Sequence, residues 1–177
     1  MHKSSYLHAS YSYKPTRLRS YFYAVFDLFI AKTINAKNIT FHLPIEISFP
    51  SKINIPRAKR YIYFIERLSK IINVPVVWEN ITFLSTKDWS VLEQSVWEYI
   101  PKNIDLCLDT GHLMLGEKNP QKRISEVIVK FGKQIKHLHI HENDLIHDLH
   151  LPPEKIISQK ILKKITKNRT WVIEPQS

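Results

Sequence analysis

The chain has 177 residues, 44% hydrophobic and 24% charged, which suits one packed domain over residues 1–177 and excludes wholesale disorder. A net charge of +10 and a pI near 9.6 point to anionic partners such as nucleic acid or phosphorylated metabolites, or to a plain basic surface. One cysteine, Cys107, excludes an internal disulfide, and three glycines are too few to assemble a P-loop or a Gly-x-Gly-x-x-Gly turn.

Near the N-terminus, MHKSSYLHASYSY lacks the apolar core of a signal peptide. The run YFYAVFDLFIA is too short to span a bilayer and contains Asp27. A soluble, cytoplasmic protein with no membrane partner is expected.

In chain order, short apolar or β-branched runs predict strands over residues 6–9, 38–42, 74–79, 104–109, 135–141 and 170–174. Helical patterns lie between them. Residues 17–36 carry a stripe of Leu18, Tyr21, Phe22, Val25, Phe29 and Ile30. Pro56 opens a second helix with Tyr61, Ile62, Ile65, Leu68 and Ile72 on one face. Helices are also predicted over residues 91–99, where Ser90 starts and Pro101 stops the pattern, over 121–131 and over 156–165. Repeated strand–helix alternation implies parallel strands with right-handed crossovers. The Val, Ile and Leu runs imply strands buried on both faces. Cys107, inside the run IDLCLD, reads as a small core residue.

An open doubly wound sheet and a (β/α) barrel both fit this alternation. The strand ends favour the barrel. They carry His8 in YLHAS, His42 in TFHLP, Glu79 in VWEN, Asp109 in CLDTGH, His139 in HLHIHEND and Glu174 in WVIEP. Every one can bind a metal, and only a barrel converges all its strand ends on one mouth. Alone, each has a plainer reading: Asp109 could merely cap its turn, for instance. His112 follows Asp109 by three residues, and Asp148 and His150 follow the histidine strand. Nitrogen and carboxylate donors without thiolates suit Zn2+, Mn2+ or Fe2+. In HLHIHEND, His137, His139 and His141 share one face of a strand and Leu138 and Ile140 the other.

CLDTGH, HLHIHEND with its trailing DLH, and the final IEP resemble the xylose isomerase-like TIM-barrel superfamily, and within it the endonuclease IV branch (AP endonuclease family 2). That branch binds three metal ions, typically zinc, in the order His, His, Glu, Asp-x-x-His, His, Asp-x-His, Glu. The resemblance implies the ligands His8, His42, Glu79, Asp109, His112, His139, Asp148, His150 and Glu174. It also implies an α/β fold, a TIM-type barrel left incomplete at about six strand–helix units, with the first and last units missing. A partner, a second copy of the chain for one, would cover the open edges. The chain departs from the branch at Glu142, where aspartate is usual, and at Leu149, where the DNA-repair enzymes tend to have arginine.

The chemistry the resemblance implies is metal-dependent phosphodiester hydrolysis with two or three ions, Zn2+ first and Mn2+ second, acting on an anionic phosphodiester, DNA at abasic sites included. Glu79 and Glu174 would bridge ions or orient the attacking water. Glu142 is a candidate acceptor for a ligand histidine, and His137, His141 and His147 are expected to surround the ligands or face solvent. The alternative is a sugar or sugar-phosphate isomerase or epimerase of the same superfamily, which needs only Glu79, Asp109, His139 and Glu174. A small-molecule phosphodiesterase of the cobamide-remodelling kind and an inactive truncated remnant complete the alternatives.

Overall fold

The computed structural model describes residues 14–44, 54–80 and 101–174. The predicted strand over 6–9, with His8, and the predicted helix over 91–99 lie outside the described residues. These fall into two compact units, the first with residues 14–44, 54–78 and 101–104, the second with 79–80 and 105–174.

The first unit holds α1 (Lys14–Thr33), β1 (Ile39–His42), α2 (Ile55–Ile72) and most of β2 (Val76–Glu79). Asn54 caps α2 by accepting from the Arg57 N–H, and Pro56 occupies its first turn. Asn73 ends it in the left-handed region at φ 60°, returning its N–H to the Ser69 carbonyl. The buried face is Ala58, Tyr61, Ile62, Ile65 and Ser69, so three of the five predicted positions are fully inside. In α1 the expected stripe is corrected: Ser20, Ala24, Leu28 and Ala31 are buried, whereas Leu18, Phe22, Phe29 and Ile30 are exposed. The helix is apolar almost all round, so spacing alone cannot choose its inner face. Contact with α2 decides it: Tyr21 meets Tyr61 and Phe64 edge-on, and the Tyr61 hydroxyl reaches the Ser20 carbonyl. The strands are joined where the Ile39 N–H donates to the Pro75 carbonyl. Trp78 lies against Phe41 and donates to Glu66.

The second unit contains β3 (Leu106–Asp109), the short α3 (Thr110–Met114), α4 (Pro120–Phe131), β4 (Ile135–Ile140), α5 (Gln159–Thr166) and β5 (Thr170–Ile173). β4 pairs in parallel with β3 on one side and β5 on the other, with Asp109 opposite His139 and His139 opposite Val172. Within this unit the strands succeed one another in chain order, β3-β4-β5. Arg169 fastens this unit by donating to the carbonyls of Gly132, Ile135 and Ile165, one from each neighbouring element.

β2 and β3 are buried at every position, as strands covered on both faces should be. β5 corrects that expectation. It lies at the end of the strand order, and Trp171, Val172 and Ile173 are 40–53% exposed. α5 also starts later than its apolar pattern, after the Ser158 cap. Residues 155–157 form a bend outside the helix, with their N–H groups taken by the Glu142 carboxylate. No described helix is long and apolar enough to cross a membrane.

Candidate metal centre

Side-chain parity builds the floor of the site. On β3 and β4, Cys107 pairs in register with His137, and two residues on Asp109 pairs with His139. The four therefore face one side in two layers, while Leu138 and Ile140 are buried on the other. Glu79 ends β2 and Glu174 lies one residue beyond β5. One ligand atom each from Glu79, Asp109, His139 and Glu174 lie within 4.8 Å of one another. His139 Nδ1 stands 3.0 Å from Glu79 Oε1, 3.4 Å from Glu174 Oε2 and 3.9 Å from Asp109 Oδ2.

A second group takes its donors from α3 and the segment after β4. His112, His141, Asp148 and His150 also bring one ligand atom each within 4.8 Å. His112 Nε2 is 3.3 Å and His150 Nε2 3.5 Å from Asp148 Oδ2. The His141 and His150 rings stack at 4.0 Å. Asp109 joins the two groups, with Oδ1 2.8 Å from His141 Nε2 and Oδ2 3.8 Å from His112 Nδ1. Asp109 also does what its turn alone suggests, capping α3 by accepting from the His112 N–H.

The surroundings fix these side chains. Asn80 grips Asp109 by both backbone groups: its side-chain oxygen accepts from the Asp109 N–H and its amide donates to the Asp109 carbonyl. The Asn80 carbonyl faces His112 Nδ1 at 2.8 Å. A carbonyl only accepts, so Nδ1 carries a proton and Nε2 is turned toward Asp148. The Thr110 hydroxyl lies against the backbone of His141, and the Asn143 amide donates to the Gly111 carbonyl. Gly111 is a requirement of close approach: a Cβ there would run into the His141 ring.

Electrostatics favour a cation. Glu79 and Asp109 are almost wholly buried, and Asp109 Oδ2 has no hydrogen-bond partner among the described residues. Three carboxylates within 4.8 Å repel one another unless positive charge lies between them. A divalent ion fits this donor set. In the absence of an ion, protons do part of that work. Burial pushes His112 toward the neutral form, but the charge of Asp109, the hydrogen bond with Asp148 and the charge of Glu79 outweigh it and lift its pKa to about 10. Burial opposes protonation of His139 too, and its contacts with Cys107, Glu174 and Glu79 again raise the pKa. Burial pushes the Cys107 thiol up to about 12, against the pull of His139, in keeping with a core residue.

Seven of the nine predicted ligands, Glu79, Asp109, His112, His139, Asp148, His150 and Glu174, are thus gathered in the second unit. His42 ends β1 in the first unit, part-buried, and His8 lies outside the described residues. Sequence reasoning left His141 among the surroundings, yet it is wholly buried with the second group. The expectation for Glu142 is corrected at its side chain: the carboxylate accepts the N–H groups of Lys155, Ile156 and Ile157, and it is the Glu142 backbone carbonyl that faces His141 Nδ1, at 3.4 Å. His147 is exposed and pairs with Asp144, and His137 meets the Thr170 hydroxyl.

No family model matches the sequence, and no curated protein matches it. Solved structures do. The TTHB071 protein from Thermus thermophilus, in a crystal soaked with ZnCl2, aligns with a TM-score of 0.67 at 16% identity over 94% of this chain and 66% of its own. A D-tagatose 3-epimerase-like protein gives 0.70 at 19% identity over 94% of this chain and 66% of its own. D-psicose 3-epimerase from Clostridium cellulolyticum gives 0.59 at 15% identity over 97% of this chain and 61% of its own. The chain spans less than two thirds of these neighbours' length. Two carry epimerase names and none of the three an endonuclease's, so the expected endonuclease IV branch draws no support from them. At these identities the likeness is one of fold: the parallel strands and helices of this chain are those of a TIM-type (β/α) barrel, matched over part of its length.

Proposed function

We propose that the chain acts as a sugar isomerase or epimerase around one divalent ion held by Glu79, Asp109, His139 and Glu174. The observation that carries this reading is the meeting of these four groups within 4.8 Å at the C-terminal ends of four strands. The epimerase names of two structural neighbours support the reaction class. A bound ion would polarise a carbonyl and its neighbouring hydroxyl. Glu79 and Glu174 flank His139 Nδ1, and carboxylates so placed can take a proton from a carbon beside a carbonyl and return it. Asp109 is held by Asn80 and His141 and keeps its position while those protons move.

The second group of donors favours another reading, a multi-metal phosphodiester hydrolase. His112, His141, Asp148 and His150 would be superfluous as ligands in a one-ion isomerase. Metal analysis of the purified chain, with solvent-deuterium incorporation into ketoses and hydrolysis of a model phosphodiester, separates the two. About one ion per chain with deuterium entering the sugar supports the isomerase. Two or three ions with phosphodiester turnover support the hydrolase. A chain that binds no ion and turns over neither substrate sinks both.

A further inference from the structure

The metal centre uses nothing from α1 and α2, yet their N-terminal turns hold a second concentration of function-bearing side chains. Both helices open on proline and then turn basic, KPTRLRSY in α1 and IPRAKRY in α2. Neither has an acidic residue in its first turn. Helix N-termini carry partial positive charge, so carboxylates are favoured there and arginines are not. The two helices pack together, and between them lies a cavity of 170 Å³ lined by Arg17, Tyr21, Arg57 and Arg60. One liquid water takes about 30 Å³, so the cavity accepts a compact anion with some of its hydration.

We propose that this cavity binds a phosphoryl group, as free phosphate or as the monoester of a small metabolite. Arg17, Arg57 and Arg60 bring three cationic side chains around one space, and a dianion held there would be attracted by each of them, whatever other contacts they make. Arginine supplies planar forks that match phosphoryl oxygens in pairs, which lysine cannot. Tyr21 adds a hydroxyl donor on a ring held edge-on by Tyr61 at 4.9 Å and Phe64 at 5.1 Å. Burial raises the pKa of that hydroxyl, and the charges of Arg60 and Arg17 pull the other way, so both cations lie close to it. The chain's net charge of +10 draws anions in at long range, and the cavity gives one a place to stop.

The test is calorimetric titration of the full chain, stripped of metal with a chelator, with inorganic phosphate and separately with phenyl phosphate at low ionic strength. Stripping removes the metal centre as a rival site. Saturable binding of at least one probe is expected, weakened about 10-fold or more by Arg60→Gln and by Arg17→Gln. Arg60 is exposed, so its replacement leaves the fold intact, and circular dichroism checks this. Tighter binding of phenyl phosphate identifies an ester ligand, and tighter binding of phosphate the free ion. Saturation by neither probe overturns the proposal, and so does unchanged affinity in Arg60→Gln. It also falls if a short mixed-sequence oligonucleotide binds through Arg60 while both small probes fail, because the surface then reads nucleic acid.

Discussion

Two groups of donors share Asp109 and differ in almost everything else. Glu79, Asp109, His139 and Glu174 offer three carboxylates and one imidazole, while His112, His141, Asp148 and His150 reverse the ratio. The first group stands on or beside strand ends, with Glu79 and Asp109 sealed in the interior. The second takes two members, Asp148 and His150, from a partly exposed segment. Oxygen-rich sets favour harder ions such as Mn2+, and imidazole-rich sets favour Zn2+. One strand end can therefore serve two kinds of chemistry, and the floor is common to both while the additions are not.

The largest effect is expected where the groups meet. Asp109→Ala should empty both, lowering turnover by about 1000-fold or more and leaving His141 buried without its carboxylate. Metal content and thermal melting would show it, and a variant that still binds its full complement of ions would break the idea of a shared floor. Glu174→Gln comes next. It should cost at least about 100-fold in turnover with the fold unchanged, since only proton transfer and one ligand oxygen are lost. Gly111→Ala should destabilise by about 1–3 kcal/mol, because His141 must leave the space that the new Cβ claims.

A pH series tests the electrostatics. The His112 pKa is lifted to about 10 from an ordinary 6.5, so the stability it contributes is complete below pH 6.5 and lost as pH rises through 10. The metal-free chain should melt progressively lower across that window. Metal affinity should rise over the same range, because the ion must displace a proton. A flat melting profile for the metal-free chain would contradict the assigned contacts of His112. The smallest effect separates the functions most sharply. His150→Ala should leave sugar-proton exchange within about threefold of the parent chain if the first group works alone, whereas a hydrolase that needs both groups should lose about 100-fold or more.

Much of this arrangement could be read before any coordinates. A period of two placed His139 and His141 on one face, and His112 was expected in the loop after Asp109, where the structure forms the short α3 instead. Residues at strand ends announced themselves because strands are short and their apolar runs stop abruptly. What stayed hidden depends on contacts between distant segments. His141 is set inside by the absence of a side chain at Gly111, thirty positions earlier in sequence. Glu142 sits beside the ligands in sequence, but its carboxylate turns to backbone groups at 155–157, and no periodicity reports that. The inner face of α1 is equally invisible, since small residues won over Phe22 and Phe29 through close helix contact.

Glu142 and Leu151 exchange both backbone hydrogen bonds in an antiparallel bridge, closing residues 143–150 into a loop pinched at its base. Asp148 and His150 ride on that loop, with His150 in the left-handed region at φ 48°. The pinch makes the excursion a cassette. Its contents can be exchanged between β4 and α5 while the neck stays tied, so a lineage could gain or shed one ion's worth of chemistry without redrawing the sheet beneath.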